Sequence, residues 1–300
     1  MTLDDYRQFY ADEIRIAAGL QSAALVAAYA RVPREKFMGP APWQIASPDM
    51  ASMASMGLAG WAYSTTDDPR DLYHNVLVAL DPRRYVNNGQ PSALARWIDA
   101  LELAPGDRVY HLGCGVGYYT AIMAEVVGTG GRVTASEVDP GLAARARENL
   151  AAYPNVSVHA GDGAAFDPGE CDAIFINAGV THPHPLWLER LSDRGRLVLP
   201  LTGAMDSANI GGAGFVAKIT RGGSGFCARV VTPAGIYSCT SVRDPEMSAA
   251  LAKALATKAL LKLKSVRTDP HQQEETCLAH RTDICLSTAD LPSTIKSGSR

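Results

Sequence analysis

Three glycines in five residues constrain this chain more than any other feature. Gly113, Gly115 and Gly117 lie between Arg108-Val109-Tyr110-His111-Leu112 and Tyr118-Tyr119-Thr120-Ala121. The first run has the length and apolar content of a buried strand, and the second opens a helix. A glycine turn between them lets the backbone bend sharply and approach a ligand without a Cβ in the way. The free N–H groups of the following helix point back at the same place. The pattern predicts an α/β fold with a nucleotide-like ligand at the turn.

The details of the turn narrow that ligand. A dinucleotide fingerprint asks for a small residue at the third glycine position of G-x-G-x-x-G/A. Here Tyr118 stands there, and the spacing is G-x-G-x-G. No Gly-Lys-Ser/Thr run follows, and no Lys or Arg lies between Gly113 and Gly131 to neutralise a pyrophosphate. The loop suits a ligand without phosphates.

Further strands follow in order. Gly131 to Asp139 reads as a second strand ending in carboxylates, with Glu137 24 positions after Gly113. An acid there can accept from both ribose hydroxyls. Val156 to Gly163 reads as a third strand ending in Asp162, which can accept from an exocyclic base amine. Asp172 to Gly179 is a fourth strand, and Gly195 to Leu201 a fifth. Helices are expected at 139–152 and from Pro185 through Leu191. Such alternation predicts a mostly parallel sheet covered on both faces.

Glycine turn, ribose acid, base acid and fourth strand, in this order, resemble a class I S-adenosylmethionine-dependent methyltransferase. The resemblance implies a Rossmann-like α/β fold with a seven-stranded sheet, and S-adenosyl-L-methionine as cofactor. It implies cofactor contacts at Gly113, Cys114, Gly115 and Gly117, and at Tyr118, Tyr119 and Thr120. Glu137, Val138, Asp162, Gly163 and Asn177 complete that set. More narrowly, Arg31-Val32-Pro33-Arg34-Glu35-Lys36-Phe37 resembles the N-terminal signature of protein-L-isoaspartate O-methyltransferases. Gly117-Tyr118-Tyr119-Thr120-Ala121, Gly161-Asp162-Gly163, Leu197-Val198-Leu199-Pro200 and Lys218-Ile219-Thr220-Arg221 are similar to that family as well.

Two segments depart from the family pattern. Asn87-Asn88-Gly89-Gln90-Pro91-Ser92 stands where the family carries a hydroxyl residue, and the hydroxyl position falls on Gly89. Val180-Thr181-His182-Pro183-His184-Pro185 differs from the family's usual Ala-Pro run. Gln90 and Ser92 are candidates to contact the cofactor, and Ser92 to orient the acceptor. The alternative is that Ser92 or Asn88 caps the following helix. His182 and His184 are candidate catalytic bases at the carboxyl end of the fourth strand, against the alternative of loop histidines held between prolines.

A carboxylate acceptor is ionised at pH 7 and needs no base. With no Cys/His or Ser/His/Asp constellation evident, O-methylation of a carboxylate on a small molecule or peptide ranks first. Isoaspartyl repair is the alternative, and a non-catalytic cofactor-binding protein is the alternative from another class. The net charge of −3 gives no pull toward nucleic acid or an anionic membrane. No apolar run reaches 18 residues, and Met1-Thr2-Leu3-Asp4-Asp5 lacks a signal layout, so a cytoplasmic protein is expected. Monomer and homodimer both stay open.

The six cysteines read as scattered: Cys114, Cys171, Cys227, Cys239, Cys277 and Cys285 form no C-x-x-C and no zinc-type spacing with histidine. They are expected to be reduced packing residues, with no metal site. The expected organisation is 1–84 as N-terminal helices and an insertion, 85–242 as the cofactor-binding core, and 243–300 as a C-terminal extension. Two helices occupy 4–31. Residues 38–70 read as an irregular insertion, with a lid over 38–84. A helix runs from Pro91 to Leu103. A hairpin turns at Arg221-Gly222-Gly223-Ser224. An amphipathic helix spans Met247 to Val266, with a disordered tail from Ser293 to Arg300.

Overall fold

The computed structural model describes residues 1–47, 49, 62–204, 211–223 and 225–291. The chain divides into two compact units, Met1–Gly163 and Ala164–Arg300.

The first unit opens with α1 (Leu3–Ala18) and α2 (Ala23–Arg31), as the spacing predicts. Thr2 and Asp5 form a reciprocal cap at the start of α1, and Gly19 closes it in the left-handed region at φ 66°. The tyrosines at 10, 29, 73 and 118 meet edge to face near the buried face of these helices. The insertion is more ordered than its sequence suggests. β1 (Trp43–Ala46), β2 (Ser64–Thr66), β3 (Leu77–Asp81) and β4 (Val86–Asn87) form a sheet in the order β2-β1-β3-β4. Its pairs are antiparallel. These strands are two to five residues long and mostly half-exposed. Of the four, only β3 lies in an apolar run, Val76-Leu77-Val78-Ala79-Leu80. The lid expected over 38–84 rests partly on residues 48 and 50–61, which lie outside the described residues.

After α3 (Pro91–Asp99) come β5 (Arg108–Leu112), α4 (Tyr118–Val127), β6 (Arg132–Glu137), α5 (Pro140–Asn149) and β7 (Val156–Ala160). β5 pairs with β6, and β6 with β7, all in parallel. Parallel strands need a crossover, and α4 and α5 supply it. α3 stops four residues before Leu103. Asp139 caps α5 by accepting from Gly141 N–H and Leu142 N–H, each at 2.9 Å, with Pro140 at the first helical position.

The second unit begins with β8 (Cys171–Ile176), whose last four residues are all buried. α6 (Pro185–Arg190) is short, and β9 (Leu191–Ala204) starts where the helix was expected to continue. Leu191 is therefore a strand residue, paired with Cys171. β8 and β9 run in parallel, but the sheet expected to be mostly parallel then changes direction. β10 (Gly211–Gly222) and β11 (Gly225–Tyr237) pair antiparallel to each other, and β10 pairs antiparallel to β9. The tight turn past Gly222 leaves no room for a crossover; Ser224, part of the predicted turn, lies outside the described residues.

α7 (Pro245–Ala256) is capped by Asp244 and ends ten residues before the sequence suggests. Lys258 takes a left-handed φ of 58° and starts a 3₁₀ turn over Ala259–Lys262. Leu260, Leu263 and Val266 are buried although they leave the helix, so their helical spacing misleads. β12 (Ser265–Arg267), β13 (Cys277–His280) and β14 (Cys285–Ser287) extend the antiparallel part in the order β11-β12-β14-β13. The tail expected to be disordered, 293–300, lies outside the described residues. Among the described residues no helix is long and apolar enough to cross a membrane.

Candidate functional site

The glycine turn sits between β5 and α4, and all three glycines have positive φ: 79° at Gly113, 57° at Gly115 and 89° at Gly117. The turn is fixed from β6. Gly113 N–H and Cys114 N–H both donate to Ser136 C=O, at 2.9 and 3.1 Å. A Cβ on Gly117 would lie 2.6 Å from Leu150 Cδ1, so the turn also packs closely beyond the end of α5.

Glu137 ends β6 with its carboxylate nearly enclosed, at 7% exposure. Its Oε2 accepts from Gly115 N–H at 2.7 Å, and its Oε1 from Asp139 N–H at 3.0 Å. The acid and the glycine turn therefore form one hydrogen-bonded assembly. Val138 beside it is half-exposed. Asp162 and Gly163 follow β7. The Tyr110 hydroxyl donates to Gly163 C=O at 2.7 Å and meets Ser136 Oγ at 2.8 Å. A Cβ on Gly163 would fall 2.6 Å from the Tyr110 hydroxyl, so no other residue fits there unshifted.

Cys114 is buried in the turn. Burial, with Glu137 next, pushes its thiol well up, which makes it a packing residue and not a nucleophile. Tyr118 and Tyr119 are both enclosed. The Tyr118 ring packs edge-on against Tyr29, Phe37 and Tyr119, while the Tyr119 hydroxyl donates to Gly89 C=O at 3.4 Å. Thr120 meets His111 Nδ1 at 2.9 Å in the core.

The run before α3 lies in the same unit. Gln90 is the N-cap residue of α3 without a capping side-chain bond. Its Nε2 donates to Ser92 Oγ at 3.2 Å, and Ser92 N–H donates to Asn75 Oδ1 at 3.0 Å. Neither Asn88 nor Ser92 caps the helix, so the capping alternative is set aside. Gly89 has φ 74°, and a Cβ there would lie 2.8 Å from Leu94 Cδ2. The missing hydroxyl thus coincides with a position where the backbone demands glycine.

Arg34 was legible only as part of a motif. It is fully buried. Its Nη1 donates to Leu72 C=O at 2.6 Å and His74 C=O at 3.1 Å, and its Nη2 to Val76 C=O at 2.8 Å. The guanidinium lies over the Tyr10 and Tyr118 rings at 5.6 and 5.9 Å. It fixes the loop carrying Asn75, and so Ser92.

The remaining candidates belong to the second unit. Asn177 follows β8, half-buried. His182 is 5% exposed; burial, then the Arg281 charge, lowers its pKa to about 4. Its Nδ1 meets Thr181 Oγ1 at 2.8 Å and its Nε2 meets Arg281 Nη1 at 3.4 Å. His184 caps α6, its Nδ1 accepting from Leu186 N–H at 3.3 Å, with its ring against Trp187. Both histidines thus have local structural partners, and the two rings make separate contacts.

The cysteines are not all scattered. Cys277 and Cys285 come together with His271 and His280, one ligand-type atom from each lying within 4.8 Å of the others. Antiparallel pairing of β13 with β14 sets Cys285 opposite His280, a convergence that linear spacing hides.

Comparison with known proteins gives a consistent result. The family model described as protein-L-isoaspartate(D-aspartate) O-methyltransferase (PCMT) matches residues 61–210. A protein-L-isoaspartate O-methyltransferase of Methylorubrum extorquens is 36% identical over 190 residues, 62% of this chain and 69% of the relative. Protein-L-isoaspartate O-methyltransferase 2 of Archaeoglobus fulgidus is 41% identical over 116 residues, 37% of this chain and 52% of its own length. The chain thus spans about half the length of that relative and, at 54%, of the Ignicoccus hospitalis one. Among solved structures, a protein-L-isoaspartate O-methyltransferase aligns with TM-score 0.56 at 18% identity, covering 89% of this chain and 72% of that one. A Plasmodium falciparum structure solved with S-adenosyl-L-homocysteine aligns with TM-score 0.56 at 15% identity, covering 78% of this chain and 98% of that one. These likenesses carry the Rossmann-like methyltransferase fold.

Proposed function

This chain belongs to the protein-L-isoaspartate(D-aspartate) O-methyltransferase family, and from that premise we propose that it is an S-adenosylmethionine-dependent methyltransferase acting on carboxylates, with isoaspartyl groups of peptides or proteins as the acceptor class. The observation that carries the cofactor half is the Glu137 carboxylate hydrogen-bonded to Gly115 N–H in the turn. The residues fit such a ligand. The turn has no cation to attract a phosphate, its glycines leave the backbone bare, and an enclosed acid stands beside it. Glu137 would hold the ribose hydroxyls, Asp162 the base amine, and Gly113 to Gly117 the remainder. When bound, the cofactor supplies an electrophilic methyl group on sulfur.

The chain's own residues then orient an acceptor and exclude water. A carboxylate is already ionised near neutral pH and asks for no base. This agrees with His182 and His184, which hydrogen-bond to neighbouring protein groups. In this reading they position the loop after β8. Gln90 and Ser92, joined to each other and held by Asn75, are the proposed groups orienting the acceptor.

The identity of relatives matched over two thirds of their length favours the isoaspartyl acceptor over a specialised small-molecule acid. Gly89 in place of a hydroxyl favours the specialised acid. One experiment separates them. Labelled cofactor and an isoaspartyl peptide should give a methyl ester that releases methanol in mild base. Absence of incorporation, with S-adenosylhomocysteine binding intact by calorimetry, would reject the isoaspartyl acceptor and leave the specialised acid.

A further inference from the structure

Beyond the glycine turn, the C-terminal strands carry a second cluster of reactive side chains that methyl transfer does not use. His271, Cys277, His280 and Cys285 are spaced H-x5-C-x2-H-x4-C. Their ligand-type atoms, two sulfurs and two imidazole nitrogens, lie within 4.8 Å of one another. Tetrahedral bonds of about 2.0–2.3 Å give edges of roughly 3.3–3.8 Å, so the cluster closes on a cation by side-chain adjustments of about 1 Å.

The surroundings of each donor point the same way. His271 Nδ1 lies 2.7 Å from Asp269 C=O, so that nitrogen carries the proton and donates. Nε2 is left as a bare lone pair, 3.7 Å from Cys277 Sγ. A backbone carbonyl that fixes the tautomer is the usual support of a metal-bound imidazole. His280 Nδ1 is buried and has no hydrogen-bond partner, a cost a metal bond would remove. Glu274 N–H points at Cys277 Sγ from 3.3 Å, as suits a sulfur bearing negative charge. Cys285 is fully buried, with the Cys277 sulfur within 4.8 Å of its own. Two sulfurs beside each other in such a place call for a cation.

We propose that His271, Cys277, His280 and Cys285 form a Cys2His2 site for a structural zinc ion. The donor set is borderline-soft and four-coordinate, which suits zinc over magnesium, calcium or manganese. With no fifth donor in the cluster among the described residues, the closed set is structural. Binding forms two metal–sulfur and two metal–nitrogen bonds, and the two thiol protons leave to solvent. The site clamps β13 to β14 and to the loop that carries His271. The tight turn it closes, with Arg281 N–H donating to Ile284 C=O at 2.8 Å, presents the Arg281 side chain. Arg281 reaches Asp244 Oδ2 at 3.3 Å as well as His182. The metal site therefore anchors the segment that packs on the loop after β8.

The test is metal analysis of the full chain purified under reducing conditions without a metal-affinity step. About one zinc per chain is expected, with most of it lost in Cys277→Ser and Cys285→Ser and all of it kept in Cys227→Ser, whose cysteine is exposed and outside the cluster. Wild-type chain stripped by a chelator and titrated with cobalt(II) should develop the intense visible absorption of tetrahedral cobalt–thiolate, an arm that needs no variant to fold. A metal-free wild type that gives no such spectrum overturns the proposal. So does a Cys277–Cys285 disulfide that persists in reductant, or equal metal loss in Cys227→Ser.

Discussion

A single carboxylate and a single guanidinium show how much depends on individual groups. Glu137 satisfies two backbone N–H groups at the turn. Glu137→Ala leaves both unmet and removes the proposed ribose contact, so S-adenosylhomocysteine affinity should fall about 100-fold or more, close to 3 kcal/mol. Calorimetry checks this, and unchanged affinity would remove Glu137 from the cofactor site. Arg34 bonds three carbonyls in full burial. Arg34→Met strands them and should cost about 3–5 kcal/mol in denaturant unfolding; a loss under 1 kcal/mol would contradict that role. His111 is fully buried, and burial lowers its pKa to about 3 from the usual 6.5. Between these values the unfolded chain binds a proton that the folded chain refuses. Stability is therefore full above about pH 6.5 and declines as pH falls toward 3, by up to about 1.4 kcal/mol per pH unit from this group. His182 adds a decline of the same sign down to about pH 4. Thermal unfolding of wild type and His111→Asn against pH should show a flatter acid limb in the variant.

At the scale of elements, the glycine turn is the part whose backbone conformation the sequence foretold. Its conformation is set by local sterics: all three glycines take a positive φ that side-chain-bearing residues rarely adopt. Gly117→Ala should strain φ 89° and drive a methyl into Leu150, at a cost of about 1–3 kcal/mol and with weakened cofactor binding. A thermal melt and a binding titration on one sample would show whether both effects appear. Short strands read worse. β1 to β4 carry too few residues for a period to emerge, and each is stabilised by its neighbours, not its own pattern. The end of α7 failed for the opposite reason. Leu251, Leu255, Ala259 and Leu263 keep helical spacing across the left-handed break at Lys258. Apolar spacing records what is buried, and a 3₁₀ turn followed by a strand can bury the same side chains.

For the molecule as a whole, the proposed zinc site makes one region's stability conditional on a cation. Chelation should raise amide hydrogen exchange across 265–291 and leave the protection of β5, β6 and β7 unchanged. Uniform loss of protection throughout the chain would argue against a local clamp. Family membership and the order of glycine turn, Glu137 at the end of one strand, Asp162 after the next and the fourth strand were legible because each depends on residues close in sequence: a turn, a strand end, a helix cap. The aromatic cluster around Arg34, the Asn75 support of Ser92, the pairing of His182 with Arg281 and the gathering of two cysteines with two histidines were not. Those contacts join positions up to 108 residues apart, and only chain folding brings them within reach. The sequence by itself determined the backbone geometry of the glycine turn, since steric limits on φ act within a residue. Tertiary structure decided which side chains stand beside one another, because burial and hydrogen bonding act across space and leave no periodic trace along the chain.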